Sequence, residues 1–106
     1  MRVLVIMSDT ATIEKTSEEV NMHVPKKYKV IFHNDDFTSM EFVIYALENI
    51  FRKTTEEATE ITLMIHHQGK GIAGIYSKEI AEQKTMETLQ LAKANAYPLQ
   101  VTYEEM

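Results

Sequence analysis

Tyr28-Lys29-Val30-Ile31-Phe32-His33-Asn34-Asp35-Asp36-Phe37-Thr38-Ser39-Met40-Glu41-Phe42-Val43 is the stretch on which the reading of this chain turns. Tyr28, Val30 and Phe32 alternate with Lys29 and Ile31, the period of a strand with one more polar face. A helix start follows at once: Thr38 is placed to cap it and Glu41 to complete a capping box. Between the two lie the adjacent carboxylates Asp35 and Asp36. Like charges a few ångströms apart repel by roughly 1 kcal/mol in water and by more near a protein surface. The pair therefore needs full solvation or a cation to meet.

The elements after this stretch follow by periodicity and punctuation. Met40, Val43, Ile44, Leu47, Ile50 and Phe51 form the apolar stripe of a first helix, broken at Lys53 and Thr54. Thr54 with Glu57 is a second capping box. The helix it opens carries Ala58, Ile61, Met64 and Ile65 inward and stops at Gly69. Ile72, Ala73, Ile75 and Tyr76 make a short strand. Ser77 caps a third helix with Ile80, Ala81, Met86, Leu89 and Ala92 on its apolar side, stopped by Asn95 and Pro98. Leu99, Val101 and Tyr103 alternate as a last strand. The order β-α-α-β-α-β implies an α+β two-layer sandwich, with a small, largely antiparallel three-stranded sheet and three helices.

The chain divides near Pro25. Residues 8–24 are polar, rich in Ser, Thr and Glu and without periodicity, so residues 1–24 read as a flexible N-terminal extension and residues 25–106 as one folded domain. Residues 1–6 are an apolar head on that extension. They read equally as an added strand or as residues ahead of a translation start at Met7.

Composition narrows the function classes. The chain has 106 residues, 44% hydrophobic and 25% charged, as an ordinary soluble domain does. No cysteine is present, so there is no disulfide, no Cys-ligated zinc and no thiol nucleophile. A net charge of −5 disfavours nucleic acid as a partner. No apolar run reaches the ~18 residues of a membrane span, and the N-terminus lacks the features of a signal peptide. A cytoplasmic location is expected.

Several motifs tempt and fail. Gly69-Lys70-Gly71-Ile72-Ala73-Gly74 has the letters of a dinucleotide fingerprint, but it follows a helix and enters a strand, the reverse of what phosphate binding at a helix N-terminus requires. The glycines read instead as a helix stop, a turn and close strand packing. A phosphoacceptor receiver would need a further Asp at a later strand end, and none follows Asp36. His66 and His67 point ~100° apart on a helix and cannot easily share one ion. Taken singly, Asp35 and Asp36 fit a solvated turn, His67 an exposed helix end and His66 a half-buried histidine. Taken together, a strand-end amide, two carboxylates, a cap hydroxyl and His66 beside apolar residues suit a small cation attached to a hydrophobic group. The amino-terminal residue of a peptide is such an object, its α-ammonium having a pKa near 8.

The same residues carry a family resemblance. Tyr28-Lys29-Val30-Ile31 and the run Asn34-Asp35-Asp36-Phe37-Thr38-Ser39-Met40-Glu41-Phe42-Val43 resemble the ClpS family, adaptors of the bacterial Clp protease that select substrates by their N-terminal residue. The likeness continues in His66-x-Gln68-Gly69, Gly74, Glu79-x-Ala81-Glu82-x-Lys84 and Tyr97-Pro98-Leu99, and it spans residues 25–106. The resemblance implies that Asn34, Asp35 and His66 bond the α-amino group and first peptide unit of an N-degron, with Asp36 adding negative field at the mouth. It implies a pocket for a Leu, Phe, Tyr or Trp side chain, lined by Ile31 or its neighbourhood, Thr38, Met40, Val43, Thr62, Ile65 and Leu99. Glu79 and Lys84 match positions that dock the N-terminal domain of the ClpA unfoldase, and the extension matches the segment needed to hand substrate over. A monomer without catalysis, cofactor or metal is expected.

Two positions depart from the family pattern. Thr62 stands where Met is common, which bears on the ranking of N-terminal side chains, and Ser39 replaces a common Pro in the first helical turn, where either is tolerated. Two other readings compete: a small metal-dependent hydrolase using Asp35, Asp36 and His66, and a structural module that binds through its third helix.

Overall fold

The computed structural model describes residues 24–106, so the expectations for residues 1–6 and for most of the extension lie outside the described residues. The order of elements is strand β1 (Tyr28–His33), helix α1 (Met40–Asn49), helix α2 (Thr55–Gln68), strand β2 (Lys70–Tyr76), helix α3 (Lys78–Ala94) and strand β3 (Gln100–Glu105). It is the expected β-α-α-β-α-β sandwich. The strands form one antiparallel sheet in the order β2-β1-β3. β1 is central because both later strands pair with it. Its register with β3 is continuous from Tyr28 opposite Glu105 to His33 opposite Gln100. Its register with β2 slips between Val30 and Ile31, so Ala73 is the extra residue of a bulge. No described helix is long and apolar enough to cross a membrane.

One face of the sheet carries Val30, Phe32, Ala73 and Val101, all buried, against Phe42, Val43, Ala46, Leu47, Phe51, Ala58, Ile65 and Ala92 from the helical layer and its loops. Each fully buried Phe, Leu or Val side chain contributes roughly 1.5–3 kcal/mol. Phe51 stands edge-on to Phe32 at 5.5 Å, an arrangement that aromatic quadrupoles favour.

Helix boundaries follow local chemistry, with one correction. The cap of α1 is Ser39, not Thr38: the Ser39 hydroxyl accepts from the Phe42 N–H at 3.1 Å while its own backbone stays extended. Asp35 has already claimed Thr38, accepting from both its N–H and its hydroxyl, so Thr38 belongs to the loop. The Thr54–Glu57 capping box forms with both reciprocal bonds. Gly69 ends α2 in the left-handed conformation at φ 91°, where a β-carbon would be strained. Ser77 caps α3.

The inward faces of the later helices differ from the expected stripes. Met64 is 46% exposed, and Ile80, Met86 and Leu89 are also largely exposed. The buried face of α3 is Ala81, Thr85, Thr88 and Ala92. Thr85 and Thr88 donate their hydroxyls to the carbonyls of Ala81 and Lys84, at 2.8 and 2.7 Å. Each hydroxyl is thus satisfied within its own helix, and short side chains let α3 lie close to the sheet. Hydrophobicity alone points to the longer, outward-facing residues.

Candidate functional site

The loop between β1 and α1 is built by Asp35. Its Oδ1 accepts the N–H groups of Phe37 and Thr38, both at 2.8 Å, and its Oδ2 accepts the Thr38 hydroxyl at 2.7 Å. Burial of the carboxyl would raise its pKa. The Thr38 hydroxyl and the two backbone N–H groups outweigh that and hold it below the ordinary value of 3.8. A carboxylate has about four lone-pair directions, so one on Oδ2 is left unfilled. The same loop is tied to the end of α2 by a 2.9 Å bond from the Asn34 N–H to the Gly69 carbonyl. The acidic residues are therefore set in fixed relation to α2, which carries His66.

These segments enclose a pocket of about 230 Å³. Its lining includes every residue expected at the α-amino group, Asn34, Asp35, Asp36 and His66, and, of those expected at the side-chain pocket, Thr38, Met40, Val43, Thr62, Ile65 and Leu99. Val43, Thr62, Ile65 and Leu99 are buried, whereas Met40 is 42% exposed, a rim residue and not the core residue its place in the helical stripe suggests. Thr62 donates its hydroxyl to the Ala58 carbonyl at 2.7 Å. With the Thr38 hydroxyl given to Asp35, neither threonine has a free donor for the cavity, and what remains is methyl. The side-chain end is thereby largely apolar, and polarity is concentrated in the loop, His33 and His66.

One sequence expectation does not match this lining. Ile31 is buried in β1 opposite Ile72 and Thr102 and lines no part of the pocket. His33, two residues on, does line it, with its Nε2 hydrogen-bonded to the Thr102 hydroxyl at 2.8 Å. Strand alternation places His33 on the sheet face of Ile31 and Thr102, opposite the core, so no sequence pattern marks it; it joins the lining as the last residue of β1, next to the acidic loop. His66 and His67 stand with rings 5.2 Å apart and steeply inclined. Among the described residues no group of three His, Asp or Glu side chains is arranged to hold a metal ion.

Glu79 and Lys84 lie on α3, and neither lines the pocket. Glu79 is exposed. The Lys84 amine is partly buried: it donates to the Ile50 carbonyl at 2.7 Å and stands 5.8 Å from the Phe51 ring centre and 5.4 Å from that of Tyr76.

Comparison with known proteins gives this arrangement its family. The family model described as "ATP-dependent Clp protease adaptor protein ClpS" matches residues 23–102. A Bdellovibrio bacteriovorus protein named ATP-dependent Clp protease adapter protein ClpS is 52% identical over 84 residues, covering 79% of this chain and 74% of that protein. The Helicobacter hepaticus protein of the same name is 48% identical over 95 residues, 90% of this chain and 96% of its own length. The structure of Agrobacterium tumefaciens ClpS2 bound to L-phenylalaninamide matches with a TM-score of 0.76 at 34% identity, covering 78% of this chain and 100% of that one. The class is therefore that of small α+β adaptors serving an ATP-dependent protease. Within it, this chain belongs to the ClpS family of Clp protease adaptors.

Proposed function

We propose that this adaptor binds proteins through a free, bulky hydrophobic N-terminal residue and delivers them to the ClpA unfoldase for degradation. The observation that carries the reading is the polarity of one cavity: an apolar interior beside an acidic loop and the histidine of α2. Its volume of about 230 Å³ falls below the ~300–1,000 Å³ of sites for drug-sized ligands and suits a single side chain. In this reading Met40, Val43, Thr62, Ile65 and Leu99 receive the side chain. The α-ammonium meets the free lone pair of Asp35, with Asn34, His66 and the field of Asp36 around it. Phenylalaninamide, the ligand of the Agrobacterium relative, has the two features required, a hydrophobic side chain and a free amino group.

Energetics suit an adaptor that must release its cargo. Burial of a Leu or Phe side chain contributes roughly 1.5–3 kcal/mol, and each charge-assisted hydrogen bond roughly 1.5–3 kcal/mol. Against the cost of association, the sum supports affinity near micromolar, about −8 kcal/mol. The docking surface for the ClpA N-terminal domain is the α3 face around Glu79, with a monomeric adaptor working in the cytoplasm beside its protease.

Fluorescence titration with peptides differing only in their first residue tests the reading. Thr62 is shorter than the Met common in the family, so the wall it forms leaves room that a large ligand fills better than a small one. Phe, Tyr and Trp peptides are expected to bind at least as tightly as Leu, and Ala or Gly peptides far more weakly. Equal affinity for Phe and Gly would refute the role of the cavity.

A further inference from the structure

Gly71 in β2 is a glycine whose reason is spatial. Among the described glycines only Gly69 has a positive φ, so Gly71 adopts a backbone open to any residue. A β-carbon at position 71 would lie 2.9 Å from Ile65 Cγ1, 3.4 Å from the Ile61 carbonyl oxygen and 3.6 Å from Ile61 Cγ2. The first distance is well inside the ~3.5–4.0 Å of optimal carbon contact. Ile65 is 4% exposed and lines the cavity. The space left at Gly71 is occupied by Ile65, one of the residues that bound the cavity.

We infer that Gly71 is a positioning residue for the binding pocket: by carrying no side chain it lets Ile65 sit back against β2, and so sets the pocket's depth. The inference rests on the proposed reading of the cavity as the seat of a peptide's first side chain. Helix α2 is tied to its surroundings at both ends, by the Thr55 hydroxyl donating to the Glu48 carboxylate of α1 at 2.6 Å and by the Asn34 N–H donating to the Gly69 carbonyl at 2.9 Å. A methyl at position 71 therefore has its easiest outlet in the Ile65 side chain, which moves toward the cavity, and not in a shift of the helix. A shallower cavity penalises large side chains more than small ones, whereas a shifted α2 would move His66 too and weaken all N-terminal residues alike.

The test compares the wild type with Gly71→Ala, using peptides that begin with Trp, Phe or Leu. Overpacking of this kind costs enough to weaken the Trp and Phe peptides about tenfold, with a far smaller loss for Leu. Adding Ile65→Val to Gly71→Ala removes the δ-methyl and should return the Trp-to-Leu ratio toward that of the wild type. Loss of all three affinities in equal proportion, or no change in any, would overturn the inference. If Gly71→Ala alone does not fold, the double variant decides: recovery of fold and ratio supports the coupling, and failure to recover overturns it. Contacts between the methyl group introduced at position 71 and those of Ile65, and the Ile65 δ-methyl shift, are read by NMR without any peptide. A wild type that binds no peptide would thus refute the proposed function while the NMR still judged the placement of Ile65.

Discussion

Asp35 does two things that its position in an acidic pair conceals. Three of its lone pairs hold the β1–α1 loop together, and in the proposed reading the fourth meets the ligand's ammonium. Neighbouring Asp36 is exposed and makes no hydrogen bond or ion pair among the described residues, which leaves it free to act through its field. Because the folded carboxyl of Asp35 lies below its ordinary value of 3.8, the order it lends the loop is complete above that value. That order is lost as pH falls through the lower, folded value. Peptide affinity should accordingly hold from neutral pH down to the carboxylate range and then collapse. Asp35→Asn should lose affinity about tenfold or more at neutral pH, since an amide cannot accept three donors and a cation with the same strength. Titrations of both proteins across pH check this. An Asp35→Asn protein with unchanged affinity at neutral pH would assign the ammonium to Asp36 or His66 instead.

At the scale of elements, the end of α1 shows how one helix completes another. No basic residue lies in the last turn of α1, and the chain leaves it through Arg52 at φ 57°, a left-handed conformation costly for a side-chain-bearing residue. Lys84 of α3 brings its ammonium to the Ile50 carbonyl and supplies the positive charge the helix dipole favours there. Phe51 and Tyr76 face the same cation. Lys84→Met should therefore destabilise the domain by about 2 kcal/mol, lowering Tm by roughly 8–16 °C. Glu79→Ala, at an exposed site, should move stability by no more than ~0.5 kcal/mol. Thermal melts of the two variants, set beside their affinity for the ClpA N-terminal domain, separate a fold role from a docking role. A Lys84→Met protein with wild-type Tm but lost docking would make the ammonium a contact. The elements themselves were legible in the sequence, because caps and glycines at Thr54, Ser77 and Gly69 speak locally. What misled was the inward face of α3: Thr85 and Thr88 hide their hydroxyls in bonds to their own helix, which periodicity cannot see. Thr38 misled for a similar reason, being taken by Asp35 before it could cap.

For the whole molecule, the residues quoted for the pocket come from the β1–α1 loop, α1, α2 and the approach to β3, and the fold brings them to one cavity. No local pattern predicts that convergence; it was legible through a family resemblance, while His33 and the spatial role of Gly71 required coordinates. Binding and delivery should be separable, since the pocket draws only on residues 33–99. Deleting residues 1–20 is expected to leave peptide affinity unchanged and to abolish ClpA-dependent degradation of a Phe-initiated protein; degradation at full rate would make the extension dispensable. The central claim is that the cavity recognises a charged amino terminus together with its side chain. Fluorescence anisotropy with a Phe-initiated peptide and its N-acetylated twin tests it most directly. Acetylation removes the charge while leaving the side chain intact, and each charge-assisted bond lost is worth roughly 1.5–3 kcal/mol. The acetylated peptide should bind at least about tenfold more weakly, whereas equal binding of the two would contradict the account.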